Sequence, residues 1–182
     1  MKRHLSKAGV VGIIIALVMI SLGFTSLAAE KKKFSMSVKR EKWVSENLLV
    51  PYGENSQMRL DFQRYELKQG VNLDIITEST EPNLIGAEQT VYWQRDRVAG
   101  HPLNERGIII TRSKDGDFLY SKWESTFKIT NRDMLNWEFE SESRFQFIGG
   151  TGKYSDIQGT GTCRGKRNPR EDSAKCEGEW EF

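Results

Sequence analysis

Along residues 135–147 apolar and polar side chains alternate with a period of two. Leu135, Trp137, Phe139, Ser141, Ser143, Phe145 and Phe147 share one face; Asn136, Glu138, Glu140, Glu142, Arg144 and Gln146 share the other. Extended backbone sends successive side chains to opposite sides, so this pattern predicts a strand with one buried and one wetted face. The preceding stretch repeats it, with Leu119, Ser121, Trp123, Ser125, Phe127 and Ile129 opposed to Lys122, Glu124, Thr126, Lys128 and Thr130. Asn131, Arg132 and Asp133 supply the turn between the two. Residues 107–112 join this pair through Ser113-Lys114-Asp115-Gly116-Asp117, whose Asp-Gly step is a strong hairpin signal. The three strands form a meander.

Upstream, strands are predicted over 34–40, 58–67, 71–78 and 88–95, with Gly70 and Glu81-Pro82-Asn83 as breaks, and the segment 43–57 leaves room for a short helix. Downstream, 157–165 and 174–182 flank a polar loop containing Asn168-Pro169. About eight strands without crossover helices predict an all-β domain, an antiparallel closed barrel or a sandwich.

The first residues follow a different rule. Lys2, Arg3 and Lys7 precede an apolar run over 10–24, and Ser26, Ala28 and Ala29 then lead into charged residues. This is the order of a secretory signal peptide, predicted over 1–28 with a single domain over 29–182, periplasmic or secreted. An uncleaved anchor is the alternative reading of the same run. No later stretch is apolar enough to span a membrane. Losing Lys2, Arg3 and Lys7 takes 27 basic residues to 24 against 25 acidic, a formal charge of −1. With the two signs interspersed, no concentrated basic patch exists for nucleic acid.

Export also decides the reading of Cys163 and Cys176, which are expected to pair as one disulfide. They stand nearly symmetrically about the loop 166–173, so a terminal hairpin would bring them together.

Chemistry is sparse. The run Gly149-Gly150-Thr151-Gly152-Lys153-Tyr154 has glycines close enough for a phosphate loop, but Phe147 stands where a Walker loop needs its first glycine and Tyr154 where it needs serine or threonine. Ser155 likewise replaces the third glycine of a dinucleotide fingerprint. Gly149, Gly150 and Gly152 therefore read as a structural bend, with no nucleotide cofactor. His101 is the one histidine after the leader and reads as a loop residue; a catalytic triad or a multi-histidine metal site cannot be assembled from it. Asp115 and Asp117 lack the further ligands of a calcium loop. Glu138, Glu140 and Glu142 lie opposite the aromatics, as a solvated outer face. No catalytic residue and no metal ligand is assigned.

Read with its surroundings, the glycine run carries a resemblance. Asp115-Gly116-Asp117 and Trp123 before it, and Ile157-Gln158-Gly159-Thr160-Gly161-Thr162 after it, resemble the C-terminal half of the allene oxide cyclase and dirigent-like β-barrel proteins, over about residues 107–165. The resemblance implies a calycin-like, eight-stranded antiparallel barrel with an apolar interior, which in the enzymatic plant members holds a small reactive lipid or phenolic. No catalytic residue of those members aligns here.

The inward face is the remaining candidate. Ser121, Trp123, Ser125, Trp137, Ser141 and Ser143 set small hydroxyls between large rings. Either the small residues make room for the bulky ones across a filled interior, or they border a cavity for a small apolar or aromatic ligand. The reading adopted is an exported, non-enzymatic ligand-binding barrel. The alternatives are an isomerase or cyclase acting by confinement, and a structural or protein-binding envelope component.

Overall fold

The computed structural model describes residues 30–51, 65–98, 101–133 and 135–182. The signal peptide expected over 1–28 lies outside the described residues. Eight strands follow in chain order: β1 (Lys32–Pro51), β2 (Tyr65–Ser79), β3 (Glu88–Val98), β4 (His101–Arg112), β5 (Phe118–Asn131), β6 (Glu138–Gly150), β7 (Gln158–Arg167) and β8 (Asp172–Glu181). Each pairs antiparallel with the next, and β8 returns to β1 with Gly178 opposite Phe34 and Cys176 opposite Met36. The sheet is thus a closed eight-stranded barrel with no free edge, the first of the two architectures, barrel or sandwich, that the alternating pattern allows.

One end is plugged. The 3-10 turns Pro82–Leu84 and Gly152–Tyr154 meet there with the hairpin over 113–117. Asp117 accepts the Lys153 N–H at 3.2 Å, and Asn83 donates to Asp115 at 2.6 Å. Leu84, Tyr154, Ile157, Trp180 and Phe34 form the buried core behind these turns. Cys163 and Cys176 face each other across β7 and β8 and are bridged, with Cα atoms 4.0 Å apart.

Several local expectations change for identifiable reasons. The first strand runs on to Pro51 where a helix was allowed, through irregularities between Arg40 and Lys42 and between Trp43 and Ser45. Each inserts an extra residue and reverses the alternation, which hides the strand from a period-two reading. Residues 52–64, and with them most of the strand expected over 58–67, lie outside the described set. Gly70 is no break: it sits inside β2 opposite Trp93, where a Cβ would lie 2.3 Å from the indole Cζ2. His101 is not in a loop but opens β4, paired with Val98. The sixth strand starts at Glu138 and not at Leu135, because the Asp133 carboxylate accepts the N–H groups of Leu135 (2.8 Å) and Asn136 (3.1 Å) and holds them out of the ladder.

Candidate ligand-binding lumen

Reading partners around the barrel from β2 to β1 gives one inward row: Gly70, Trp93, Gly107, Trp123, Phe145, Gly161, Gly178 and Phe34. Rings lie against glycines on neighbouring strands. A Cβ at Gly161 would stand 2.3 Å from Phe145 Cζ, and one at Gly178 2.9 Å from Phe34 Cε1. Glycines, more than the serines, make room for the aromatics.

Two of the four serines belong to the adjoining row, in which Lys68, Arg95, Glu105, Ser125, Ser143, Cys163, Cys176 and Met36 follow one another. Ser143 donates to Ser125 Oγ at 2.9 Å, and the Ser125 hydroxyl reaches the Glu142 carbonyl at 3.3 Å. The hydroxyls of Ser121 and Ser141 make no hydrogen bond among the described residues. Between these rows lies a cavity of about 120 Å3. Phe34, Leu119, Phe147 and Trp180 line it toward the plugged end, the serines, Trp123 and the disulfide at mid-height, and charged side chains toward the other end. A larger depression of about 1100 Å3 crosses the outer surface of the sheet over Gly70, Gly107 and Gly161, but it lies open to solvent.

The charged end is a chain of alternating signs. Arg95 donates to the fully buried Glu105 at 2.9 Å; Arg167 lies 3.8 Å from the second oxygen of Glu105 and 2.7 Å from Asp172. Arg40 contacts Asp172 and lies 3.3 Å from Asp74, which also accepts from Asn72 at 2.5 Å. Since Glu105 is on β4 and Arg167 on β7, the chain crosses the lumen. Three guanidiniums meet three carboxylates, so the group is formally neutral, as burial of charge requires. All three guanidiniums also surround the Trp43 indole, at 4.1 Å (Arg40), 5.3 Å (Arg95) and 5.6 Å (Arg167) from its centroid. Burial raises the Asp74 carboxyl above the usual aspartate range, and Asp172 adds to the rise against the opposing pull of Arg40. Burial likewise lowers the Arg95 guanidinium, opposed by Glu105.

The structure brings five of the six expected lining residues together: Ser121, Trp123, Ser125, Ser141 and Ser143 border the cavity. Trp137 does not; it precedes β6 and packs on Phe139, ring centroids 5.2 Å apart. Of the glycine bend, Gly149 and Gly152 have positive φ (129° and 53°). At Gly150 a Cβ would meet the Phe118 carbonyl oxygen at 2.4 Å. The charged chain went unread from the sequence. Its signal is the pairing of Arg95 with Glu105 on two inward positions, which becomes visible once Thr111, Ile109, Gly107 and Glu105 are counted back along β4.

No family model, no curated protein and no solved structure matches this chain. Among the described residues no helix is long and apolar enough to cross a membrane.

Proposed function

We propose that the protein is an exported barrel that binds a small apolar or aromatic molecule in its lumen and performs no reaction on it. The observation that carries this reading is the cavity itself: it lies within the barrel, with rings toward the plugged end, hydroxyls at mid-height and charged side chains toward the other end. At about 120 Å3 it falls short of the 300 Å3 or more of a typical drug-sized pocket. It approaches the roughly 150 Å3 that accommodates benzene in an apolar core. Export is supported by the basic, apolar and small-residue order of the first 28 residues and by the bridged cysteines. The likeness of 107–165 to the allene oxide cyclase and dirigent-like barrels is in keeping with the same reading.

An isomerase has one observation in its favour, the carboxyl of Asp74 at the cavity wall with its pKa raised by burial. Arg40 and Asn72 both donate to that carboxyl, however, which suits a charge held in place more than one that gives and takes protons.

The test is uptake of toluene by the purified mature protein, read as a rise in melting temperature, beside a Ser141→Phe variant. The parent is expected to be stabilised by toluene, and the variant to keep its fold and lose the response. A parent indifferent to toluene, with a variant badly destabilised by overpacking, would establish a filled interior and a structural role.

A further inference from the structure

Resting on the binding reading above, the polar atoms of the lumen narrow the kind of occupant. Trp123 lines the cavity, and its indole N–H is buried without a hydrogen-bond partner among the described residues. Ser121, the adjacent inward position on β5, is buried to all but 6% and its hydroxyl is unbonded among the described residues. An indole N–H can only donate, and leaving it unmet in a buried site forfeits a hydrogen bond. The pair therefore calls for an acceptor. The charges say what kind. Arg40, Arg95 and Arg167 are already matched one for one by Asp74, Glu105 and Asp172, so a charged guest would be buried without a counter-charge. Glu105 Oε2, the one fully buried carboxylate oxygen without a hydrogen-bond partner among the described residues, faces the Arg167 guanidinium at 3.8 Å.

We propose that the lumen is selective for an uncharged aryl carbonyl compound, an aromatic aldehyde or ketone of about benzene size, whose oxygen accepts from Trp123 Nε1–H and the Ser121 hydroxyl while its ring lies against the packed cluster of Phe34, Phe145 and Phe147. Shape alone would favour an aromatic hydrocarbon equally; the unmet donor is what separates the two.

The experiment compares toluene, benzaldehyde, phenol and benzoate, which share one ring and differ in the attached group, by titration of the protein while following the indole N–H resonances. Benzaldehyde is expected to bind roughly tenfold more tightly than toluene, the worth of one or two net hydrogen bonds. It should also move the Trp123 indole N–H signal downfield, where toluene leaves it near its starting position. Trp123→Phe should bring benzaldehyde to within about twofold of toluene without weakening toluene, and Ser121→Ala should remove part of the same advantage. Equal binding of toluene and benzaldehyde, or a preference for phenol or benzoate, would overturn the selectivity and leave the binding barrel standing. Entry of none of the four would overturn both.

Discussion

At Asp74 two effects oppose each other, and the balance sets how stability responds to pH. Burial favours the neutral acid and raises its pKa, Asp172 nearby acts in the same direction, and the Arg40 guanidinium acts against them. A carboxyl whose pKa is higher folded than unfolded binds its proton more tightly in the native state. Its contribution is therefore complete below the ordinary aspartate pKa of about 3.9 and is lost as pH rises through the raised, folded value. This is the reverse of the usual acid loss of paired carboxylates. Urea midpoints for the parent and for Asp74→Asn, taken from pH 4 upward, should show the parent falling relative to the variant as the pH rises. A parent that instead gains on the variant over that range would mean that Arg40 outweighs burial. The lone indole N–H of Trp123 belongs to the same scale. Alternation placed the ring inside the barrel, but whether its nitrogen finds a partner depends on side chains from other strands, which a single strand's pattern does not contain.

Among the elements, the bend between β6 and β7 shows how little freedom a strand end can have. Gly150 closes β6 opposite Leu119, and a Cβ there would approach the Phe118 carbonyl oxygen at 2.4 Å, Tyr154 Cβ at 2.6 Å and the Tyr154 carbonyl oxygen at 2.7 Å. These are backbone and deeply buried atoms, so they cannot swing aside. Gly150→Ala should lower stability by more than about 1 kcal/mol in urea unfolding; a neutral result would mean that the 3-10 turn Gly152–Tyr154 can shift as a unit. The bend, the meander of β4, β5 and β6 and the terminal hairpin were legible in the sequence because each rests on local signals: alternation, Asp-Gly, clustered glycines. The long β1 was not, since two bulges break its parity between Arg40 and Ser45. Gly70 misled for a different reason. Glycine in a strand reads as a break until its neighbour is known, and the ring that fills its place, Trp93, comes from the next strand. The lining serines were legible as inward positions. Trp137 was misplaced because the Asp133 turn takes up the residues before Glu138.

For the molecule as a whole, closure depends on bringing β1 to β8, the two ends of the described barrel, and the ladder between them joins residues more than a hundred positions apart. The bridge between Cys163 and Cys176, 13 residues apart, bears on that closure. It ties β8 to β7 in the unfolded chain, so β1 has a two-stranded unit to dock against and not a single free strand. In the chain-entropy view, closing a loop of this length stabilises the fold by about 3 kcal/mol. Thiol labelling of the unreduced, denatured protein should find no free cysteine. The Cys163→Ala, Cys176→Ala double variant should unfold at lower urea by a comparable amount. Both sulfurs face the lumen, so the double variant also removes wall atoms, and an apolar guest such as toluene should recover part of the loss by filling the added space. Two labelled thiols in the parent, or a double variant as stable as the parent, would show that the barrel closes without help from the bridge and that its seam is held by the β1–β8 ladder and the core around Phe34 alone.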